Sequence, residues 1–130
     1  MNLVQELTDY LAPVTTTMTP CLGLWDESPG EADTEFLSIN LAPSPQPGVI
    51  SLFEHVDLWI VSARDQQDRE GGRMAAYSKA SAVRQYILAN PSSSCFVNVK
   101  SITGIIGPMV SEEMRDIYKV TIEITIKGGP

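Results

Sequence analysis

The chain has 130 residues and a formal net charge of −7, and 43% of its residues are hydrophobic while 19% are charged. A chain of this length and hydrophobic content can bury one core, which excludes an intrinsically disordered protein. The nine Lys and Arg residues are scattered through an acidic sequence, so we expect no specific binding to nucleic acid, whose phosphates an acidic surface repels. We predict a single domain over residues 1–130.

Membrane insertion and secretion are also disfavoured. The longest uninterrupted apolar run, Leu58–Val61, is far shorter than the roughly 20 residues that a membrane-spanning helix needs. The N-terminal segment contains Glu6 and Asp9 and lacks the features of a signal peptide. We therefore predict a cytosolic, unprocessed chain without membrane contact, in which the isolated Cys21 and Cys95 are free thiols.

The first third of the chain predicts one helix and one strand. Asn2 is a suitable N-cap, and apolar residues recur at helical spacing as far as Leu11, after which a proline stops the pattern. Residues 13–34 mix β-branched residues with prolines and glycines, which indicates irregular chain with one short extended piece around residues 21–25. Apolar and polar residues alternate over residues 36–41, as in a half-buried strand.

The middle of the chain predicts a second strand and a long helix. Three prolines in residues 43–48 indicate a loop, and residues 50–62 then alternate as a strand. Residues 62–72 hold five charged side chains and end in two glycines, which favours a connector. Apolar residues at i, i+4, i+7 and i+11 predict a helix over residues 72–89, which stops at Asn90 because the residue before a proline avoids the helical conformation.

The last third predicts two more strands. Residues 95–106 form a strand that is broken or bent near Gly104, and residues 107–116 form a connection. Apolar and polar residues then alternate over residues 118–127, as in a strand with one polar face, which is typical of an antiparallel sheet whose other face is covered by helices. This element order predicts an α+β fold, a mostly antiparallel four-stranded sheet covered by two helices.

The sequence contains no recognisable catalytic or cofactor-binding motif. His55 shares a strand face with Asp57, a pairing that suits a general base, but a single histidine cannot build a two-histidine metal site. We interpret it as a strand-surface histidine. Gly71 and Gly72 precede a helix, whose N-terminus attracts anions, but acidic neighbours occupy the place that a phosphate would take. We predict no enzymatic activity, no cofactor and no metal.

The charged connections are the remaining candidates for a function. Glu112, Glu113, Arg115 and Asp116 have neither the fixed geometry nor the histidine partner that acid–base chemistry or a metal requires, so we interpret them as a solvated charged loop. Polar connections on a rigid scaffold commonly serve recognition. Binding to another protein is therefore the favoured role.

The order and spacing of the helix and strand segments resemble those of a known family. A short N-terminal helix precedes "GLWDESPGEADTEFLSINL", the strand "EHVDLWIVSARD" follows, and then come the helix "GGRMAAYSKASAVRQYIL" and the alternating "DIYKVTIEITI". In this order and over nearly its whole length, the chain resembles the tail terminator proteins and related minor structural proteins of long-tailed bacteriophages.

The resemblance implies an α/β sandwich that assembles into a hexameric ring, caps the tail tube, stops its polymerisation and meets the head connector. The implied partners are further copies of the chain, the tail tube protein and the head-tail connector protein, in a virion assembled in the host cytoplasm. The net charge adds the hypothesis of an acidic lumen through which DNA slides without sticking. Another neck or head–tail joining protein, a small cytosolic protein-binding module and an enzyme with an undetected site remain alternatives.

We predict the subunit or partner contacts in the charged connections and on the polar face of the last strand, where opposite charges are offered to a neighbour. The candidate interface residues are Arg64, Asp65, Asp68, Arg69, Glu70, Glu112, Glu113, Arg115, Lys119 and Glu123.

Overall fold

The structure is a computed structural model that describes residues 3–23, 25, 34–41, 53–63, 69–93, 96–112 and 114–126. The elements are, in chain order, α1 (Leu3–Leu11), a 3-10 turn (Ala12–Val14), β1 (Met18–Leu22), β2 (Glu35–Leu41), β3 (Phe53–Val61), α2 (Arg69–Ala89), β4 (Phe96–Ser101), β5 (Ile106–Val110) and β6 (Asp116–Ile126). The predicted loop at residues 43–48, the connector residues 64–68 and Cys95 lie outside the described residues.

The strands form one mixed sheet in the order β1-β2-β3-β6-β4, with β5 also paired to β6. All the pairs are antiparallel except β1 with β2. Both β4 and β5 lie on the same side of β6, β4 against its C-terminal part and β5 against its first residues. Together they form one interrupted edge strand.

Both helices pack on one face of this sheet. The register sets Val56 opposite Ile122 and Leu58 opposite Val120, so the apolar sides of β3 and β6 coincide. Because side chains alternate between the two faces of a strand, one face of the sheet is apolar along its whole centre. The helices contribute the following buried residues to this core: Leu7, Tyr10 and Leu11 from α1, and Ala76, Ala80, Val83 and Ile87 from α2.

Polar contacts fix α2 on the sheet. Lys79 forms an ion pair with Glu35 at the start of β2. Arg73 Nε lies 3.2 Å from Oδ1 of Asp116, the first residue of β6. The described helices include none that is long and apolar enough to cross a membrane.

The predicted α+β class, the mostly antiparallel sheet and the two helices are confirmed, but the predicted number of four strands is wrong because the sheet has six. The extended piece expected around residues 21–25 is β1, which begins earlier, at Met18. The connection expected over residues 107–116 contains β5 and the first residue of β6.

The strand β5 was predicted as a connection because of Gly107 and Pro108, a pair that is typical of turns. The chain forms a bulge there instead, since the register with β6 shifts between Ile106 and Met109, and the strand then continues. Gly107 has φ +138°, and its peptide bond to Pro108 is cis. Only Gly adopts this φ readily, so the glycine allows the strand to continue through the bulge.

Candidate interaction surfaces

The sheet face opposite the helices carries the polar side chains of the central strands, as predicted for β6. Lys119, Thr121 and Glu123 are half-buried there, whereas the alternating apolar residues of β6 lie in the core beneath the helices. Glu123 Oε2 lies 3.0 Å from His55 Nε2, and Thr121 donates a hydrogen bond of 2.6 Å to Asp57. We call this surface the open face.

The position of His55 on the strand surface is confirmed, since its side chain is partly exposed on β3. Asp57, the residue with which it was expected to share a face, bonds to Thr121, and the carboxylate beside the imidazole is Glu123. Within the described ranges no group of three or more His, Cys, Asp or Glu side chains is arranged to hold a metal ion.

A second apolar cluster covers one end of the open face. Phe36, Val61 and Ile117 are buried there, and the half-buried Trp25 and Trp59 pack against them. The Trp25 ring centroid lies 6.5 Å from that of Phe36 and 6.3 Å from that of Trp59, which suits attractive ring packing. The cluster stabilises the side of the sheet that no helix covers.

Arg115 lies beside this cluster and is fully buried. Its Nη1 donates hydrogen bonds of 2.6 Å to the Thr34 carbonyl and 2.9 Å to the Ser62 carbonyl, and its guanidinium lies 5.0 Å from the Phe36 ring centroid. Asp116 is also fully buried. The prediction of a solvated charged loop is therefore wrong for these two residues, because β6 already begins at Asp116, and Arg115 joins the segments before β2 and after β3.

Two backbone hydrogen bonds join Ser111 to Met114 and to Arg115 in the turn between β5 and β6. The Ser111 N–H donates to the Arg115 carbonyl at 2.9 Å, and the Met114 N–H donates to the Ser111 carbonyl at 3.0 Å. Met114 adopts a left-handed φ of 65°. Glu112 is exposed in this turn.

The predicted interface residues that the structure describes lie in several different parts of the fold. Lys119 and Glu123 lie on the open face, Glu112 is exposed in the β5–β6 turn, and Arg115 is an internal contact. Arg69 and Glu70 begin α2, but their side chains are outside what the structure describes. The remaining candidates lie outside the described residues, namely Arg64, Asp65, Asp68 and Glu113.

An apolar edge around β5 was missed by the sequence analysis. All five residues of β5 are exposed, including Ile106 at 44% and Val110 at 49%, and Ile102 in the preceding bend is exposed as well. Residues 102–111 contain no charged residue. The absence of charge over ten residues of an acidic chain could have indicated this apolar surface. The glycines and the proline in the same segment favoured a loop instead. We call residues 102–111 the β5 edge.

The solvent-facing side of α2 was missed too. None of the exposed residues between 71 and 89 is charged, and Met74 is 67% and Leu88 is 52% exposed. The solvent side of a surface helix is normally rich in charges. We call this surface the α2 outer face. Its exposed side chains are Met74, Ala75, Tyr77, Ser78, Ala82, Gln85, Leu88 and Ala89.

A polar cleft of about 270 Å³ lies where α1 meets the end of α2. The Tyr10 hydroxyl donates a hydrogen bond to the Asn90 carbonyl there, and its ring centroid lies 5.4 Å from that of Tyr86. Burial, and secondarily the neighbouring Tyr86, raises the pKa of Tyr10 to about 12. The phenol therefore stays protonated at neutral pH and joins the two helices. The cleft is lined by Glu6, Asp9, Tyr10, Tyr86, Asn90, Ser92 and Ser93.

Fold and surfaces together define a small α+β sandwich with broad uncharged areas that suit contacts with other proteins. The family model of the phage tail termination protein matches residues 1–128. The chain therefore belongs to the phage tail termination protein family, and the resemblance proposed from the sequence is confirmed. This family is structural, so the chain is a component of the phage tail and interacts with other tail components.

A solved structure that is known only by a sequence identifier is similar in fold. It superposes with a TM-score of 0.52 at 12% sequence identity, and the match covers 97% of this chain and 91% of that one. At this identity the likeness shows the fold alone. No curated protein matches the sequence significantly.

Proposed function

We propose that the chain forms a hexameric ring on the end of the tail tube, stops the polymerisation of the tube and joins it to the head connector. The observation that carries this proposal is the family match over nearly the whole chain. The proposed site of action is the neck end of the tail, where a closed ring of identical subunits presents one surface to the tube and another to the connector.

The outer edge of β1 supports a terminating role because it is unsuited to strand addition. The Gly23 N–H donates to the Ile39 carbonyl of β2 at 3.0 Å. Alternate residues of a strand direct their N–H groups to the same side, so Cys21 also faces β2 and Pro20 faces outward. Proline has no N–H to donate, and a proline on an edge strand prevents pairing with another chain.

The opposite edge of the sheet is interrupted in a similar way. The Val99 N–H of β4 already donates to the Pro91 carbonyl at 2.7 Å. Next to it, β5 contains the bulge at Gly107 and Pro108. Neither edge therefore offers a long template for further strands. A subunit of this kind joins its neighbours through side chains, and its attachment does not create a new sheet edge for continued growth.

The charge of the subunit fits a ring around DNA. The net charge of −7 makes specific retention of a phosphate backbone unfavourable. On the open face, Glu123 and Asp57 stand among half-buried polar side chains, with Lys119 as the nearest cation on β6. An acidic lumen repels passing DNA instead of binding it, which is the property that a conduit needs.

The proposal is tested by polymerising purified tail tube protein with and without this chain and measuring tube lengths by electron microscopy. We expect the chain to shorten the tubes at sub-stoichiometric amounts and to be located at one end. Unchanged lengths, with the chain bound at the end, would instead favour the alternative of another neck protein. Unchanged lengths without end binding would contradict the proposal altogether.

A further inference from the structure

We infer that the α2 outer face is a subunit interface and that the β5 edge of a second copy of this chain covers it, with Arg84 of one copy beside Glu112 of the other. This inference rests on the proposed ring and names the surfaces that build it. Two different surfaces of one chain meet in this contact, so it is heterologous and able to close into a ring.

Electrostatic repulsion limits which surfaces of two copies can meet. Each copy carries a net charge of −7, so identical subunits repel each other unless the surfaces that meet are free of carboxylates. The α2 outer face has no charged residue among its exposed side chains, and residues 102–111 have none either. Contact between these two surfaces buries no carboxylate that lacks a partner.

The margin of the α2 outer face is basic where the structure describes it. Between residues 71 and 89 the charged residues are Arg73, Lys79 and Arg84. Arg73 and Lys79 are paired with Asp116 and Glu35, respectively, within the subunit.

Arg84 differs from Arg73 and Lys79 in having no ion pair within the described part of the subunit. Its Nε is buried without a hydrogen-bond acceptor among the described residues. A buried donor of this kind is costly unless it gains a partner. Because this nitrogen is closed off from solvent, an acidic group of an incoming surface would pair with the terminal nitrogens of the half-buried guanidinium and compensate its charge.

The β5 edge brings such a group. Glu112 is exposed in the turn that follows β5 and forms no ion pair with any residue that the structure describes. It stands at the end of the uncharged segment, as Arg84 stands at the margin of the uncharged helix face. The charges of Arg84 and Glu112 are therefore complementary, and one ion pair between two copies would compensate both.

The α2 outer face is long enough to hold β5. The 21 residues of α2 extend over about 31 Å, and the five residues of β5 extend over about 17 Å. The helix face offers small residues, Ala75, Ala82 and Ala89, between larger ones, which allows the exposed Ile106 and Val110 of the neighbour to approach closely. Neither strand edge has to be extended for this contact.

The inference is tested with the purified full chain by native mass spectrometry and analytical ultracentrifugation at physiological salt. The variants are Arg84→Glu, Glu112→Arg and the double charge swap. Each single variant sets two like charges opposite each other, so we expect subunit association to weaken by about tenfold or more. The double variant restores the pairing and should recover the ring, as should an equimolar mixture of the two single variants.

Matched controls separate this effect from net charge and from misfolding. Lys100→Glu changes the charge as Arg84→Glu does, and Asp9→Lys changes it as Glu112→Arg does, at exposed positions on β4 and α1 that belong to neither surface. Both controls should keep the ring. Ala82→Arg places a bulky charge on the α2 outer face at an exposed position and should abolish assembly while the circular dichroism spectrum stays unchanged.

The outcomes distinguish this contact from the proposed function. A wild-type ring that is insensitive to the single variants and to Ala82→Arg overturns the contact and leaves the proposed function standing. Variants that keep the ring but no longer stop tube growth would assign these surfaces to the tube protein, which also overturns the contact. A wild-type monomer under assembly conditions overturns both proposals.

Discussion

Arg115 shows at the residue scale how a charge predicted on the surface serves the interior. Its guanidinium donates to two backbone carbonyls, those of Thr34 and Ser62, and stacks on Phe36. Replacing Arg115 with Met leaves these acceptors unsatisfied, so we expect a loss of about 2–4 kcal/mol in the free energy of unfolding, measured in urea. Arg115→Lys keeps the charge and should lose less. A Met variant as stable as the wild type would show that the buried contacts contribute nothing.

Gly107 is required by both its conformation and its surroundings. With φ +138°, a Cβ at this position would lie 2.7 Å from the Ile117 carbonyl of β6. Since a backbone atom cannot move aside, Gly107→Ala should cost about 2 kcal/mol or more, read from thermal or urea unfolding. Gly104→Ala is the control, because a Cβ there meets nothing within 4 Å. Equal stability of the two variants would contradict the bulge geometry.

The raised pKa of Tyr10 predicts that the free energy of unfolding falls at high pH. Its pKa is raised to about 12 in the folded chain, chiefly by burial, while the unfolded chain titrates near 10. Folding thus favours the protonated phenol, so its contribution is complete below pH 10 and is lost as the pH rises towards 12. Tyr10→Phe cannot ionise and should flatten this part of the curve of unfolding free energy against pH. An identical slope in the variant would show that another group titrates.

Residue chemistry predicted some of these roles and missed others. His55 was correctly interpreted as a strand-surface residue, because the alternation of β3 fixes which face it occupies. The burial of Arg115 could not be predicted, since its hydrogen-bond acceptors lie 81 and 53 residues away in sequence. Only the sheet register brings these segments together.

The elements with clear periodicity were predicted well. The stripe of Ala76, Ala80, Val83 and Ile87 is buried as expected, because four positions at helical spacing define one face. The end of α2 is also as predicted, although the helix begins at Arg69, before the two glycines. Those glycines were expected to precede the helix, but they lie within its first turns despite their low helix propensity.

The edge strands were the difficult elements. Both β1 and β5 are five residues long and contain a proline, which reduces the local signal for a strand. What makes them strands is pairing with β2 and β6, and the residue pattern within a five-residue segment does not show that pairing. The same prolines protect the sheet edges, so the feature that obscured the strands also explains how the edges are kept from pairing.

Pro20 is the residue that tests edge protection. Pro20→Thr restores a backbone N–H on the outer side of β1, so we expect a greater tendency to aggregate through strand pairing, measured by light scattering at increasing concentration. Thr19→Ser is the control, because it changes an exposed neighbour on the same strand without adding a donor to the outer edge. Equal scattering by both variants would mean that proline does not protect this edge.

At the scale of the whole molecule, the chain is an acidic α+β sandwich of the phage tail termination protein family. The outer strands β1 and β5 each contain a proline, and the α2 outer face and the β5 edge are uncharged and exposed. This combination favours association through side-chain packing between copies. The sequence analysis predicted the family from element order, and its placement of the contacts in the charged connections and on the polar face of β6 stays a prediction.

The most direct test of this account is the mass of the native particle. Native mass spectrometry of the purified chain at physiological salt should show one assembled species of about six times the 14.2 kDa chain, as expected for a closed ring. Its mass should stay constant as concentration rises, because a closed ring has no free interface for further growth. A monomer at all concentrations, or an open series of growing oligomers, would contradict the account.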